Sequence, residues 1–291
     1  MKTVIALIAA WTAATFAALA QAQTAFPLPM TMTKPAGDGP FPAIVIMHDC
    51  SGLGPRSSGS PWRWSTRLNA AGYVTVAPDS FSSRGHPEGV CTNASNPVVT
   101  FVQRARDAWA ALDYAQSLPF VDARRVGLMG GSNGGSSTLH AIVESDIGKD
   151  RSNPGFVGAV ALYPGCGRNM GAWKISRDPK ARHLITSYSG LFRPRAPLLI
   201  LIGDQDDWTP AEPCRRLAES AQAQGVPVEI KIYPGARHSF DSRNPVRFVA
   251  ERINQNVPGG RGATTGGDQA AWDDAVARTL AFFEARMKAA R

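Results

Sequence analysis

The chain has 291 residues, 44% hydrophobic and 19% charged, with 28 Gly and 22 Pro; this globular composition excludes wholesale disorder, a collagen-like repeat and a multi-span membrane protein. Lys and Arg outnumber Asp and Glu by 31 to 23, a net charge of +8, and 24 of the basic residues are Arg. The arginines are scattered, with Arg124-Arg125 and Arg215-Arg216 the only adjacent pairs, so the clustered stripe and stacking aromatics of a nucleic-acid groove are missing, while an acidic substrate remains compatible with so many guanidinium groups.

In chain order, the first element reads as an export signal. Met1-Lys2-Thr3 is a short basic start, and residues 4–19 are apolar apart from two threonines. Ala20-Gln21-Ala22 has the small-x-small pattern of a signal-peptidase site. A signal peptide over 1–22 leaves residues 23–291 as one mature domain, periplasmic or secreted, with no membrane attachment after cleavage. Export puts Cys50, Cys91, Cys166 and Cys214 in an oxidising compartment, where an even count favours disulfides. No C-x-x-C is present, and no metal site is expected.

The body alternates strand and helix. Segments 43–47, 73–77, 125–129, 157–162, 198–202 and 228–232 predict strands, and 43–47 is a continuous apolar run of the kind buried on both faces. Helical patterns fall between and after them, at 62–71, 98–118, 136–143, 212–224 and 268–288. Gly72, Pro78 and Pro119 close their respective elements. Repeated strand-helix-strand units predict a mostly parallel central sheet flanked by helices on both faces. In such sheets function collects beyond the carboxyl ends of the strands. The segments 52–61, 80–97, 165–195 and 242–267 read as loops around that edge. Trp62, Trp64, Trp173 and Trp208 are possible lining residues with buried packing as the commoner role.

Those strand ends carry the chemistry. The strand at 125–129 runs into Gly130-Gly131-Ser132-Asn133-Gly134-Gly135 and then a helix, a G-x-S-x-G pattern at a strand-to-helix turn. The chemistry needs a tight turn that exposes a serine hydroxyl at a helix N-terminus, with glycines where side chains would strike backbone. A serine nucleophile needs a base, and the base needs an acid to hold its tautomer. The strand at 198–202 ends in Gly203-Asp204-Gln205-Asp206-Asp207, and the strand at 228–232 is followed by Arg237-His238-Ser239-Phe240. Among five histidines, only His238 combines a C-terminal position, a preceding strand and a loop. Asp206 is the favoured acid, with Asp204 and Asp207 as alternatives. Two backbone N–H groups must receive the oxyanion. Asn133 supplies one; Cys50 or Ser51, after the first strand, supplies the other. His48-Asp49 reads as a strand-capping pair.

Together these segments resemble the dienelactone hydrolase family of α/β-hydrolases. The resemblance rests on Pro42 to Gly54, Ala77-Pro78-Asp79-Ser80-Phe81, the Ser132 elbow, Gly203 to Pro210, and Gly235 to Phe240. It implies an α/β-hydrolase fold, Ser132 as nucleophile, Asp206 as acid, His238 as base, and the N–H groups of Cys50 and Asn133 as oxyanion donors. The family's founding members resemble this chain less at two places. They carry cysteine where Ser132 stands, and they grip a substrate carboxylate with two arginines. Arg84 and Arg243 stand about one residue from the corresponding positions and are the candidates for that role. On this scaffold the loops after adjacent strands favour Cys50–Cys91 and Cys166–Cys214 disulfides, each contributing ~2–4 kcal/mol. The expected activity is hydrolysis of small carboxylic esters or lactones through an acyl-enzyme, without metal or cofactor. The alternatives are peptide or polyester hydrolysis on the same scaffold, or a secreted binding protein with a vestigial triad.

Overall fold

The computed structural model describes residues 28–92, 99–149 and 154–289. The expected signal peptide lies outside the described residues. Eleven strands and five α-helices occur in the described residues, and seven of the strands form one sheet. In chain order these seven are β1 (Met30–Thr33), β2 (Phe41–Met47), β3 (Val74–Pro78), β4 (Val121–Gly131), β5 (Ala159–Leu162), β8 (Leu198–Gly203) and β9 (Val228–Tyr233). Their order across the sheet is β1-β3-β2-β4-β5-β8-β9. All pairings are parallel except β1 with β3. The mostly parallel sheet expected from the alternating pattern is therefore present, with one antiparallel edge strand added.

The central strands are buried along their length because both faces are covered: Ala43 to Met47 and all of β8 lie in the core. Helices α1 (Ser60–Ala70) and α5 (Gln269–Ala289) share one face, where Trp64 meets Trp272 edge-on at 4.7 Å. Helices α2 (Phe101–Ser117) and α3 (Asn133–Ile142) pack together on the other. Helix α4 (Ala211–Gln222) covers β8 and β9. Helix α2 starts at a capping box, in which Thr100 and Gln103 satisfy each other's backbone N–H groups. Among the described residues, no helix is long and apolar enough to cross a membrane.

Two segments expected to be loops are hairpins instead. β6 (Lys174–Arg177) pairs with β7 (Ile185–Ser189), and β10 (Arg247–Ile253) pairs with β11 (Arg261–Thr265). Both are short, and of their residues only Gly262 and Ala263 on β11 are buried, so they lack the buried apolar run that marks a core strand. Both proposed disulfides are present: Cys50–Cys91 and Cys166–Cys214, with Cα atoms 4.9 Å apart in each.

Candidate active site

The site lies beyond the carboxyl ends of β2, β4, β8 and β9. Parallel pairing brings these ends level, with Met47 opposite Gly130, Gly131 opposite Leu162, and Gly203 opposite Tyr233. Ser132 follows β4 directly. Its backbone is at φ 56°, ψ −118°, a conformation that a non-glycine residue adopts only when its surroundings enforce it. The enforcement is steric. A Cβ on Gly130 would lie 2.5 Å from the Gly134 carbonyl oxygen, and one on Gly134 would lie 2.0 Å from that of Met47. The elbow is thus pressed against β2, and its hydroxyl projects at the start of α3.

His238 and Asp206 converge on that hydroxyl. His238 Nε2 is 2.8 Å from Ser132 Oγ, and His238 Nδ1 is 2.8 Å from Asp206 Oδ2. All three residues are buried. Asp206 Oδ1 accepts the backbone N–H groups of Trp208 and Thr209, which leaves Oδ2 for the imidazole. The Thr209 hydroxyl, 2.9 Å from both Asp206 Oδ2 and the Tyr163 carbonyl oxygen, fixes the same edge. The other two carboxylates have different work. Asp204 accepts the Gly235 N–H in a turn, and Asp207 accepts both the N–H and the hydroxyl of Thr264.

The geometry also separates Cys50 from Ser51. The Ser51 N–H donates to Asp49 Oδ1 at 2.7 Å and is spent. The Cys50 N–H has no acceptor among the described residues. Asn133 opens α3, so its N–H has no acceptor within the helix. Cys50, Ser132 and Asn133 line one chamber.

Two chambers meet at Ser132. The smaller, about 170 Å³, is lined by Asp49, Tyr163, Asp241 and the arginines 63, 247 and 252. The larger, about 470 Å³, is lined by Phe101, Cys166, Arg168, Arg177, Pro213 and Ile253. Trp208, Ser132 and the Cys50–Cys91 bridge line both. The Trp208 ring stands 4.7 Å from the His238 ring, and its Nε1–H donates to the Ile253 carbonyl. Of the tryptophans, Trp208 lines the cleft, Trp64 and Trp173 are core, and Trp62 is exposed.

Arg84 and Arg243 are not brought to this cleft, and here the sequence-based expectation is corrected. Arg84 makes a bidentate pair with Asp107, 2.7 Å at each contact, and donates to the Ser80 carbonyl. That carboxylate and the hydrogen bond to it raise the Arg84 pKa. Arg243 is exposed and lines neither chamber. The cationic lining comes from α1 and β10 instead. Arg63 Nε donates to the Asp241 carbonyl, and Arg252 lies over the Trp208 ring at 5.3 Å with its Nε buried and without a hydrogen-bond partner among the described residues. The sequence gives no local signal for these residues, because their placement depends on the β10–β11 hairpin.

That hairpin is stitched to the loops that carry Asp206 and His238. Thr265 bridges His238, the Gly266 N–H donates to the His238 carbonyl at 3.0 Å, and Asn254 Nδ2 donates to the Asp207 carbonyl. Arg177 on β6 ties the β6–β7 hairpin to this region, its Nη2 donating to Asn256 Oδ1 and to the Gly167 carbonyl, each at 3.1 Å.

Comparison with known proteins agrees with this architecture. The model of the dienelactone hydrolase family matches residues 28–287. A protein of Methylorubrum extorquens named "Putative carboxymethylenebutenolidase" is 27% identical over 231 residues, covering 77% of this chain and 72% of its own. The acylamino-acid-releasing enzyme of Arabidopsis thaliana is 25% identical over 227 residues; the match covers 69% of this chain but only 28% of that enzyme. Thermogutta terrifontis esterase 2, in a structure phosphoramylated by tabun, superposes with a TM-score of 0.56 at 20% identity, covering 87% of each chain. With the family model spanning nearly every described residue, the chain belongs to the dienelactone hydrolase family.

Proposed function

We propose that this ester-bond hydrolase cleaves small carboxylic esters or lactones through an acyl-enzyme on Ser132. The observation that carries the reading is the buried relay from Ser132 Oγ through His238 to Asp206, 2.8 Å at each step, at the meeting of two chambers. As Ser132 Oγ bonds to the ester carbonyl carbon, its proton passes to His238 Nε2. The carbonyl π pair moves onto oxygen, and the N–H groups of Cys50 and Asn133 receive that charge. Asp206 holds the Nδ1–H tautomer and stabilises the imidazolium. The carbon–oxygen bond to the alcohol then breaks, and His238 returns the proton to the leaving oxygen. A water molecule repeats the sequence: His238 takes its proton, its oxygen bonds to the acyl carbon, and Ser132 leaves with the proton. In a lactone the acid and alcohol remain on one molecule.

The smaller chamber favours an acid-bearing substrate. Arg63, Arg247 and Arg252 face it, and a guanidinium fork matches a carboxylate. Arg252→Ala should raise KM for a hemisuccinate ester while leaving KM for the matching acetate unchanged. Peptide hydrolysis is the second reading, favoured by the match to the acylamino-acid-releasing enzyme. The two disulfides and the N-terminal sequence support export to the periplasm or beyond the cell.

The test is covalent capture. A fluorophosphonate probe should add to the peptide containing Ser132, and Ser132→Ala should lose the label and at least ~10³-fold in ester turnover. A folded Ser132→Ala enzyme that keeps its esterase activity would overturn the mechanism. A panel of esters, lactones and acyl peptides then separates the two substrate readings.

A further inference from the structure

Arg104, in the first turns of α2, is fully buried, and no carboxylate touches its guanidinium among the described residues. The carboxylate one turn along its helix, Asp107, gives both oxygens to Arg84. A cation placed so costs stability unless it is held by other work. Its contacts indicate what that work is. One terminal nitrogen, Nη1, donates to the side-chain oxygen of Asn133. The other, Nη2, donates to the His48 carbonyl at 2.6 Å. The Phe81 ring lies against the guanidinium, 4.9 Å from its carbon. One side chain thus ties the residue after the nucleophile to the strand end that leads into Cys50.

His48 continues the link. Its Nε2 accepts the Ser80 N–H at 3.1 Å, so the ring is neutral and its proton sits on Nδ1. That Nδ1–H donates to the Asp49 carbonyl at 2.8 Å. The Asp49 carbonyl and the Cys50 N–H belong to one planar trans peptide and point in opposite directions. Holding the carbonyl therefore aims the N–H. Edge-on packing of the His48 ring on Phe81, with centroids 4.6 Å apart, fixes the ring in turn.

We propose that Arg104 and His48 are positioning residues that jointly orient the two oxyanion donors, Asn133 N–H through the Arg104 contact and Cys50 N–H through the His48 contact. The inference rests on the Ser132 mechanism above. It makes Arg104 and His48 matter to the tetrahedral, negatively charged species and little to the ground-state ester.

The test compares Arg104→Met, Arg104→Lys and His48→Gln with the unaltered protein. Each is assayed for kcat and KM on p-nitrophenyl acetate, and for inhibition by an aryl trifluoromethyl ketone, which forms an anionic tetrahedral adduct with a serine. Arg104→Met should lose 10- to 100-fold in kcat, with KM within about twofold. Its affinity for the ketone should fall by a similar factor, and Arg104→Lys should recover part of both losses. His48→Gln should follow the same line of kcat against ketone affinity. Loss of kcat without loss of ketone affinity would overturn the proposal, as would folded variants with unchanged kcat. If Arg104→Met does not fold, the lysine and His48 variants decide by the same two criteria. Failure of the Ser132 reading is distinguishable: the unaltered protein would then take neither the fluorophosphonate nor the ketone.

Discussion

The two disulfides should have similar thermodynamic weight and different catalytic weight. They close segments of 41 and 48 residues. The loop-closure relation gives about 4 kcal/mol for each, at the top of the usual ~2–4 kcal/mol range. For a chain of this size that corresponds to a fall of roughly 5–15 °C in Tm. The Cys50–Cys91 bridge anchors a residue whose N–H borders the nucleophile. Cys166–Cys214 anchors only the wall of the larger chamber. Cys50→Ser/Cys91→Ser should therefore lose roughly 10-fold in kcat. The loss is smaller than the ~10²–10³-fold seen when such a donor is removed, because the Cys50 carbonyl still accepts the Val90 N–H and His48 still holds the Asp49 carbonyl. Cys166→Ser/Cys214→Ser should keep kcat within about twofold and change KM for bulky esters. Thermal unfolding by circular dichroism supplies the stability arm, and p-nitrophenyl ester kinetics below both transitions supply the other. Equal kcat for the two double variants would refute the assignment of Cys50 to the oxyanion site.

Asp206→Asn should lower kcat by ~10³–10⁴-fold with the fold intact, by disrupting the imidazole tautomer; Asp204→Asn and Asp207→Asn should leave far more activity, and similar losses for all three would remove Asp206 from its role. Gly134→Ala should destabilise by ~3 kcal/mol or more or prevent soluble expression, since its Cβ would lie 2.0 Å from the Met47 carbonyl oxygen; denaturant unfolding measures it, and a neutral result would contradict the close approach of α3 to β2. Burial, and then the Arg104 charge, hold the His48 pKa down at about 3 against an ordinary 6.5. Between those values the unfolded chain binds the proton that the folded chain refuses, so stability falls as pH drops from 6.5 towards 3, by up to about 1.4 kcal/mol per pH unit, and this group adds no slope above 6.5. Urea titrations across that range should show a shallower dependence in His48→Gln, and an unchanged slope would place the acid sensitivity elsewhere.

The parallel sheet was legible because its strands, such as 198–202, are continuous apolar runs closed by glycine or proline. The order Ser132, Asp206, His238 was legible because each residue follows one of those runs. Among three neighbouring aspartates, Asp206 is the one that meets His238, while Asp204 and Asp207 are occupied with Gly235 and Thr264, a difference visible only in three dimensions. Strand β1 was not legible: Met30 and Met32 alternate with threonines and pack on the core, but four residues are too short a run to mark a strand. Nor were the hairpins, whose strands pair only with each other, outside the central sheet, and bury few of their residues. The arginines mark the limit most clearly. Arg84 stands near a position where a substrate grip is expected, yet Asp107 on α2 claims it. Arg252 reaches the cleft only because β10 folds over Trp208. Contacts of that kind depend on long-range register, which a single sequence does not display.

The stitching of the β10–β11 hairpin has an evolutionary consequence. Its ties to the His238 and Asp207 loops mean that insertions or exchanges there disturb the proton relay together with the pocket wall. The β6–β7 hairpin packs Ile175 and Tyr188 on the core but has no such tie to the His238 or Asp207 loops among the described residues, and so has more freedom to drift. Substrate range should thus diversify asymmetrically among descendants of this scaffold. The larger chamber is open to remodelling on its Arg177 side, whereas the arginine-lined chamber is inherited almost as a unit with His238.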